Sequence, residues 1–242
     1  MTGHSEALIR LEDDRGVGLV VADLAGRFQA EWFDPAFWAR SCQPILEGGR
    51  GAAWFVDYPD EAGWVLRHYC RGGLPGRISR KTYVFLGESK VRAFLELRLL
   101  LALRHQGLPV PEPVAARYVR TQPGTYQASI LVKRIAGACG LCTCVDEAAT
   151  VIWRAAGACV RRFHDAGVYH ADLNCTNILI SPQGVHLIDF DRGVQYAQHS
   201  PSSAWKRANI KRLHRSVDKR LGDLPAQHRA TLWQAFTTGY AR

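Results

Sequence analysis

The sequence predicts an α+β chain in two lobes: a mainly β N-terminal lobe, residues 1–135, and a reduced helical C-terminal lobe, residues 136–242. Three observations carry that expectation. Turn-bounded β-prone runs dominate the first half, one strongly apolar helix is inserted among them, and the tail from Trp205 is helical and basic. A length of 242 residues suits one large domain or two small lobes, at roughly 100–200 residues per domain. Hydrophobic residues make up 47% and charged residues 22%, a globular balance that argues against a disordered or fibrous chain. No apolar run approaches the ~20 residues a bilayer-spanning helix needs. Residues 1–14 lack a basic segment followed by an apolar one, so no secretion signal is expected. The protein is expected in the cytosol, or on a membrane facing it.

The elements follow in order. Residues 1–45 carry few signals beyond Asp34-Pro35, which predicts a short helix with proline in its first position. Gly48-Gly-Arg-Gly-Ala-Ala-Trp-Phe-Val56 begins as a glycine loop and becomes a strand. Trp64–Tyr69 is the next strand, reached through a turn at Tyr58–Gly63. Apolar residues from Val91 to His105, ended by Gly107 and Pro109, predict a buried helix. Val114–Val119 and Ser129–Arg134 are two further strands. Cys144–Ala166 is predicted as a helix ending at Gly167. Asn177–Ile180 and Val185–Asp189 form a hairpin through Ser181-Pro-Gln-Gly184. In the tail, Ile210, Leu213, Val217 and Leu221 fall on one helical face.

The net charge of +9 is unevenly placed. Residues 192–242 hold ten basic side chains against two acidic ones, and residues 67–81 hold five basic and no acidic ones. Such fields either keep a surface solvated or favour an anionic partner. Seven cysteines show no framework typical of a small secreted domain. Cys139, Cys142 and Cys144 are clustered, but no second pair follows to complete the four ligands of structural zinc. Reduced cysteines are expected.

The most informative stretch is His170-Ala-Asp172-Leu-Asn-Cys-Thr-Asn177-Ile-Leu-Ile, followed by Leu187-Ile-Asp189-Phe-Asp191. Asn177 and Asp189 offer hard oxygen ligands from opposite ends of one hairpin, which suits Mg²⁺ shared with substrate phosphates. Asp172 is then placed to orient an attacking hydroxyl and accept its proton. Positioning, charge neutralisation and one proton acceptor are what phosphoryl transfer requires. Singly, such residues are more often turn and cap formers. Together, the spacing matches the catalytic and metal-binding loops of the protein-kinase-like fold. Upstream, Gly48, Gly49 and Gly51 would bring backbone N–H groups to the phosphates of ATP. Arg67 would supply the cation over those phosphates, and Glu96 would hold it. Glu96 is otherwise a surface charge, but its apolar neighbours argue that it faces inward. No Ala-Pro-Glu segment follows Asp191, so a peptide-binding helical subdomain looks absent.

From Gly48 to Ser216 the chain resembles the lipopolysaccharide-core kinase family. The residues that carry the resemblance are Gly-Gly-Arg-Gly-Ala-Ala-Trp-Phe-Val, Leu-Arg-His-Tyr-Cys-Arg-Gly-Gly-Leu, Gly-Leu-Pro-Val-Pro-Glu-Pro-Val-Ala-Ala-Arg and the two stretches around Asp172 and Asp189. The resemblance implies ATP-dependent phosphorylation of a 3-deoxy-D-manno-octulosonic acid (Kdo) hydroxyl, at the 4-position, on a Kdo-lipid A precursor. It implies peripheral attachment to the cytoplasmic face of the inner membrane. On the matching positions it makes Asp172 the catalytic base, Asn177 and Asp189 the Mg²⁺ ligands, Gly48–Gly51 the phosphate loop, and Arg67 with Glu96 the ion pair; His170 supports the loop from behind. Departures from the wider kinase pattern are Arg67 for Lys, Ala171 for Arg and Asp191 for Gly. Lys133 stands where this family suggests an acidic residue. Asp191 is either a further metal-site carboxylate or a turn cap.

An anionic sugar and an anionic membrane surface would suit Arg71, Arg77, Arg80, Lys81 and the basic tail helix. Three readings compete. A small-molecule kinase of aminoglycoside or choline type needs an acidic acceptor pocket, which the basic tail opposes. An atypical protein kinase is disfavoured by the short C-terminal lobe. A non-catalytic binding module would be expected to lose Asp172, Asn177 or Asp189. No nucleic-acid partner is expected, since the chain shows no finger, recognition helix or RNA-binding signature.

Overall fold

The computed structural model describes residues 7–45, 53–58, 62–70, 82–146, 148–196 and 204–241. They belong to two compact units, Met1–Leu101 with Glu112–Arg134, and Ala102–Pro111 with Ile135–Arg242.

The first unit is built on one antiparallel sheet. Its strands are β1 (Leu8–Glu12), β2 (Gly16–Val21), β3 (Cys42–Pro44), β4 (Ala53–Val56), β5 (Trp64–His68), β6 (Tyr83–Val84), β7 (Pro113–Gln122) and β8 (Thr125–Lys133). They run in the order β1-β2-β7-β8-β5-β4-β3, with β6 also on β8. The β1–β2 hairpin has no counterpart in the sequence reading; it is closed by the Asp13 carboxylate, which accepts from the N–H groups of Arg15 and Gly16 at 2.9 and 2.8 Å. Strands β7 and β8 are longer than expected, because Pro123-Gly124, with Gly124 at φ 76°, makes a tight turn that lets pairing run to Gln122 and Thr125. Pro35 does open a short 3₁₀ helix, Pro35–Ser41, capped by Asp34. Its Trp38 joins Trp32, Trp64 and Tyr58 in an aromatic cluster where the Tyr58 and Trp64 rings stack at 3.9 Å. Helix α1 (Arg92–His105) buries Phe94, Leu97 and Leu100, and the Phe94 ring meets Tyr118 of β7 edge-on.

The second unit holds β9 (Cys139–Gly140), helix α2 (Ala149–Asp165), β10 (Val168–Tyr169), β11 (Ile178–Ser181), β12 (Gly184–Leu187), β13 (Val194–Gln195), and helices α3 (Ala204–Arg220) and α4 (Ala226–Tyr240). Helix α2 starts later than expected. Leu141–Thr143 forms a 3₁₀ turn, and Asp146 intercepts the N–H groups of Ala148 and Ala149 that an earlier start would have used. The tail is two helices, with Pro225 just before α4. Helices α2 and α4 touch through backbone. A Cβ on Gly157 would lie 2.0 Å from the Phe236 carbonyl oxygen, and one on Gly239 would lie 1.9 Å from that of Arg154. Glycine at both positions is what allows the approach.

Candidate active site

Each unit carries one group of the expected side chains. In the first, β5 pairs Arg67 with Ala53 of β4 on one side and Ile130 of β8 on the other, an interior position in the sheet. Its Nη2 lies 2.6 and 2.5 Å from the two carboxylate oxygens of Glu96 on α1. The Tyr69 hydroxyl donates to the same carboxylate, and the guanidinium sits 4.8 Å from the centre of the Tyr69 ring. Glu96 is 4% exposed, and a carboxylate so buried stays charged only where a cation and hydrogen bonds compensate its lost hydration. The structure therefore joins Arg67 to Glu96 and adds Tyr69, which sequence reasoning missed. Lys133 pairs with Glu112 at 2.7 Å. Gly48, Gly49 and Gly51 lie outside the described residues, as do Arg71, Arg77, Arg80 and Lys81.

In the second unit, β10 leads into the loop that carries Asp172, and one 3₁₀ turn, Cys175–Asn177, leads on into β11. Hydrogen bonds hold this loop at nearly every residue. His170 Nδ1 accepts from the Asp172 N–H at 3.2 Å, so the ring proton sits on Nε2 and is donated to the Ile188 carbonyl at 2.9 Å. Burial pushes the His170 pKa down, which keeps the ring neutral and this arrangement intact. Asn174 Oδ1 accepts from the N–H groups of Thr176 and Asn177, while its Nδ2 donates to the Asp172 carbonyl and to Asp172 Oδ2 at 3.1 and 3.2 Å. Asp172 itself projects outward, its side chain 60% exposed.

Asn177 and Asp189 stand at one end of the β11–β12 hairpin, just beyond the Ile178–Leu187 pair, where the Ile188 N–H bonds the Asn177 carbonyl at 3.0 Å. Asn177 is buried, and its Nδ2 donates to the Asp172 carbonyl at 3.0 Å. That bond fixes the amide and leaves Oδ1 with no hydrogen bond among the described residues. Asp189, at φ 63°, takes the left-handed conformation as the chain leaves β12. An oriented carboxamide oxygen and a carboxylate flanking the two strands of one hairpin are a donor set that fits Mg²⁺ completed by waters and phosphates. Asp191 lies in the next turn, closed by the Gly193 N–H to the Phe190 carbonyl at 2.7 Å.

Helix α3 supports the loop along one face. Asn209, 1% exposed, donates to the His170 carbonyl at 3.0 Å and accepts from the His170 N–H at 3.3 Å. It also accepts from His164 Nε2 at 3.4 Å, and His164 Nδ1 accepts a hydrogen bond from the Tyr240 hydroxyl at 2.6 Å. Arg212 Nη1 lies 3.3 Å from Asp172 Oδ1, and the Ser216 hydroxyl accepts from the Cys175 N–H at 3.0 Å. The buried face of α3 is thus Asn209, Leu213 and Val217, with Ile210 only half-buried; the apolar stripe expected to include Ile210 is rotated because the buried His170 backbone needs a polar partner. An asparagine breaking the apolar stripe was the available signal for Asn209.

The expectation of reduced cysteines fails at one pair. Cys142 and Cys175 form a disulfide, Cα atoms 5.9 Å apart, which ties the Asp172–Asn177 loop to the 3₁₀ turn at Leu141–Thr143. Their separation of 33 residues hid the pairing, which arises only when the β9–β11 ladder brings the two segments together. Cys139 and Cys144 remain thiols with their sulfurs 3.8 Å apart, and burial raises Cys144 to about 11. Among the described residues, no group of three or more His, Cys, Asp or Glu side chains gathers as a metal centre.

Comparison with known proteins shows the family and the fold. The description "Lipopolysaccharide kinase (Kdo/WaaP) family" matches residues 35–240. The 3-deoxy-D-manno-octulosonic acid kinase of Stenotrophomonas maltophilia (strain K279a) is 44% identical, covering 90% of this chain and 88% of that protein. The protein of the same name from Xanthomonas euvesicatoria pv. vesicatoria (strain 85-10) is 42% identical over the same shares. Among solved structures, an amicoumacin kinase in complex with AMP-PNP and Ca²⁺ is similar at a TM-score of 0.59 and 14% identity, covering 90% of this chain and 79% of that one. The fold is protein-kinase-like, and the chain belongs to the lipopolysaccharide kinase (Kdo/WaaP) family.

Proposed function

We propose that this protein transfers the γ-phosphoryl group of ATP to a hydroxyl of Kdo, the 4-hydroxyl, on a Kdo-lipid A precursor during assembly of the lipopolysaccharide core. The observation that carries the reading is the conjunction of Asp172, Asn177 and Asp189 around one hairpin in a chain 44% identical to a Kdo kinase. In this reading the acceptor oxygen attacks the γ-phosphorus and forms the new O–P bond. The bond from that phosphorus to the bridging oxygen breaks, ADP leaves with its electron pair, and the hydroxyl proton passes to the Asp172 carboxylate. Asp172 suits that task because it is exposed, while Asn174 and His170 fix the backbone that carries it. Mg²⁺, held by Asn177 Oδ1 and Asp189, would neutralise phosphate charge as it develops. Arg67, held by Glu96 and Tyr69, is the cation assigned to the α- and β-phosphates, and Gly48, Gly49 and Gly51 are assigned as the loop that covers them.

We place the protein peripherally at the cytoplasmic face of the inner membrane. No described helix is long and apolar enough to cross a membrane. A cavity of about 500 Å³ between α3 and α4 sets Ile210 and Trp233 among Lys206, Arg207 and Lys211, a combination that suits anionic lipid headgroups.

The test is transfer of label from radioactive ATP, with Mg²⁺, to a Kdo-lipid A precursor and to the same precursor lacking Kdo. Label requiring both Kdo and intact Asp172, with Asp172→Asn lowering turnover by at least about a thousandfold, is the expected result. Label on a small aminoglycoside or aminoalcohol but on no glycolipid would overturn the reading in favour of a metabolite kinase.

A further inference from the structure

The Arg212 contact to Asp172 is a cation placed against the group assigned to take the acceptor's proton. Its position on α3 is set from both sides. Asn209, three residues earlier, grips the His170 backbone, and Ser216, four residues later, bonds the Cys175 N–H, so the stripe 209–212–216 runs along the catalytic loop. The contact itself is loose. One nitrogen, Nη1, lies 3.3 Å from Oδ1, both side chains are largely exposed at 44% and 60%, and the other donors of the guanidinium make no hydrogen bond among the described residues. A stabilising ion pair would be bidentate and sheltered. This one leaves most of a planar donor fork open beside the acceptor hydroxyl's place.

We infer that Arg212 is a specificity-determining residue that binds the carboxylate of the acceptor sugar and orients the hydroxyl on Asp172. The inference rests on the Kdo-kinase reading and deepens it. A sugar acid carries its carboxylate on the same ring as its hydroxyls, so a hydroxyl seated on Asp172 brings that carboxylate near the neighbouring helix face. The guanidinium fork matches a carboxylate in both shape and charge. An acceptor bearing an amine where Kdo bears its carboxylate meets repulsion at the same place, which separates this site from one built for cationic acceptors.

The experiment compares kcat/KM for a Kdo-lipid A precursor with that for the same precursor whose Kdo carboxyl is a neutral methyl ester. The wild-type protein should favour the acid by roughly ten- to a hundredfold, the range of a charge-assisted hydrogen bond. Arg212→Gln should bring that ratio to near one, and Arg212→Lys should restore part of it. Equal use of acid and ester by the wild type would overturn the inference without any variant. A ratio that survives in Arg212→Gln, or a loss expressed as a raised KM for ATP with both acceptors equally affected, would overturn it too and assign Arg212 to the transferred phosphoryl group. Failure of the wild type to phosphorylate either glycolipid would instead strike the Kdo reading itself.

Discussion

Single side chains here do their work through hydrogen bonds that admit one protonation state. His164 is 2% exposed and held at about 4 by burial, well below the ordinary histidine value of 6.5, and His170 is shifted in the same direction for the same reason. Both are neutral in the folded protein and must gain a proton at lower pH in the unfolded chain. Unfolded protein therefore binds more protons below pH 6.5, and the stability that His164 contributes is complete above pH 6.5 and falls as pH drops toward 4. For His164 the loss is about 3 kcal/mol. Urea unfolding across that range should show it, and His164→Gln should flatten the slope. Asp172, Asn177, Asp189, Arg67 and Glu96 were legible in the sequence because the spacing of a catalytic loop is local and the apolar setting of Glu96 implied an inward side chain. Tyr69 and Arg212 were not, since each matters through a partner distant in sequence; Asn209 showed only as a polar break in an apolar stripe, and Asn174, though its partners lie two and three residues away, belongs to no motif spacing.

At the scale of elements, the α2–α4 crossing and the disulfide set the two clearest expectations. Gly157→Ala forces a methyl group into the Phe236 carbonyl, where backbone rather than a flexible side chain must yield. It should cost about 3 kcal/mol of unfolding free energy, whereas Gly26→Ala, with nothing within 4 Å of its added Cβ, should be close to neutral. The Cys142–Cys175 bond closes 33 residues, so its reduction should lower stability by about 4 kcal/mol on the chain-entropy account. A reduced protein that unfolds at the same urea concentration as the oxidised one would contradict this. Helices α1 and α2 and the β11–β12 hairpin were readable from periodicity and from the Gly107, Gly167 and Pro182-Gln-Gly184 punctuation. The β1–β2 hairpin was not, because its turn is made by an Asp13 side chain rather than by a glycine or proline pair. The late start of α2 was hidden likewise, since Asp146 looks like any other charged residue until its carboxylate and carbonyl accept from the Ala148 and Ala149 N–H groups.

Across the whole molecule, the uneven charge is the property that sequence and structure describe alike. Residues 192–242 carry most of the excess, and α3 displays it around the Ile210–Trp233 cavity. Binding to vesicles of anionic phospholipid should weaken steeply as salt rises from 50 to 500 mM, because surface cations are screened beyond about one Debye length, and neutral vesicles should not bind. Association that ignores both salt and lipid charge would contradict the expectation. The α+β class followed from where strands and helices fall along the chain, whereas the sheet order, with β8 joining β5, β6 and β7, required pairings between distant segments. The buried imidazoles have a last consequence, a spectroscopic one. His164 and His170 each place a ring proton on Nε2 and bond it to an interior oxygen, Asn209 Oδ1 or the Ile188 carbonyl. Among nine histidines, these two should give slowly exchanging, downfield nitrogen-bound proton resonances. Such signals would report, without any label on substrate, whether a nucleotide, an acceptor or a distant substitution disturbs the loop that carries Asp172.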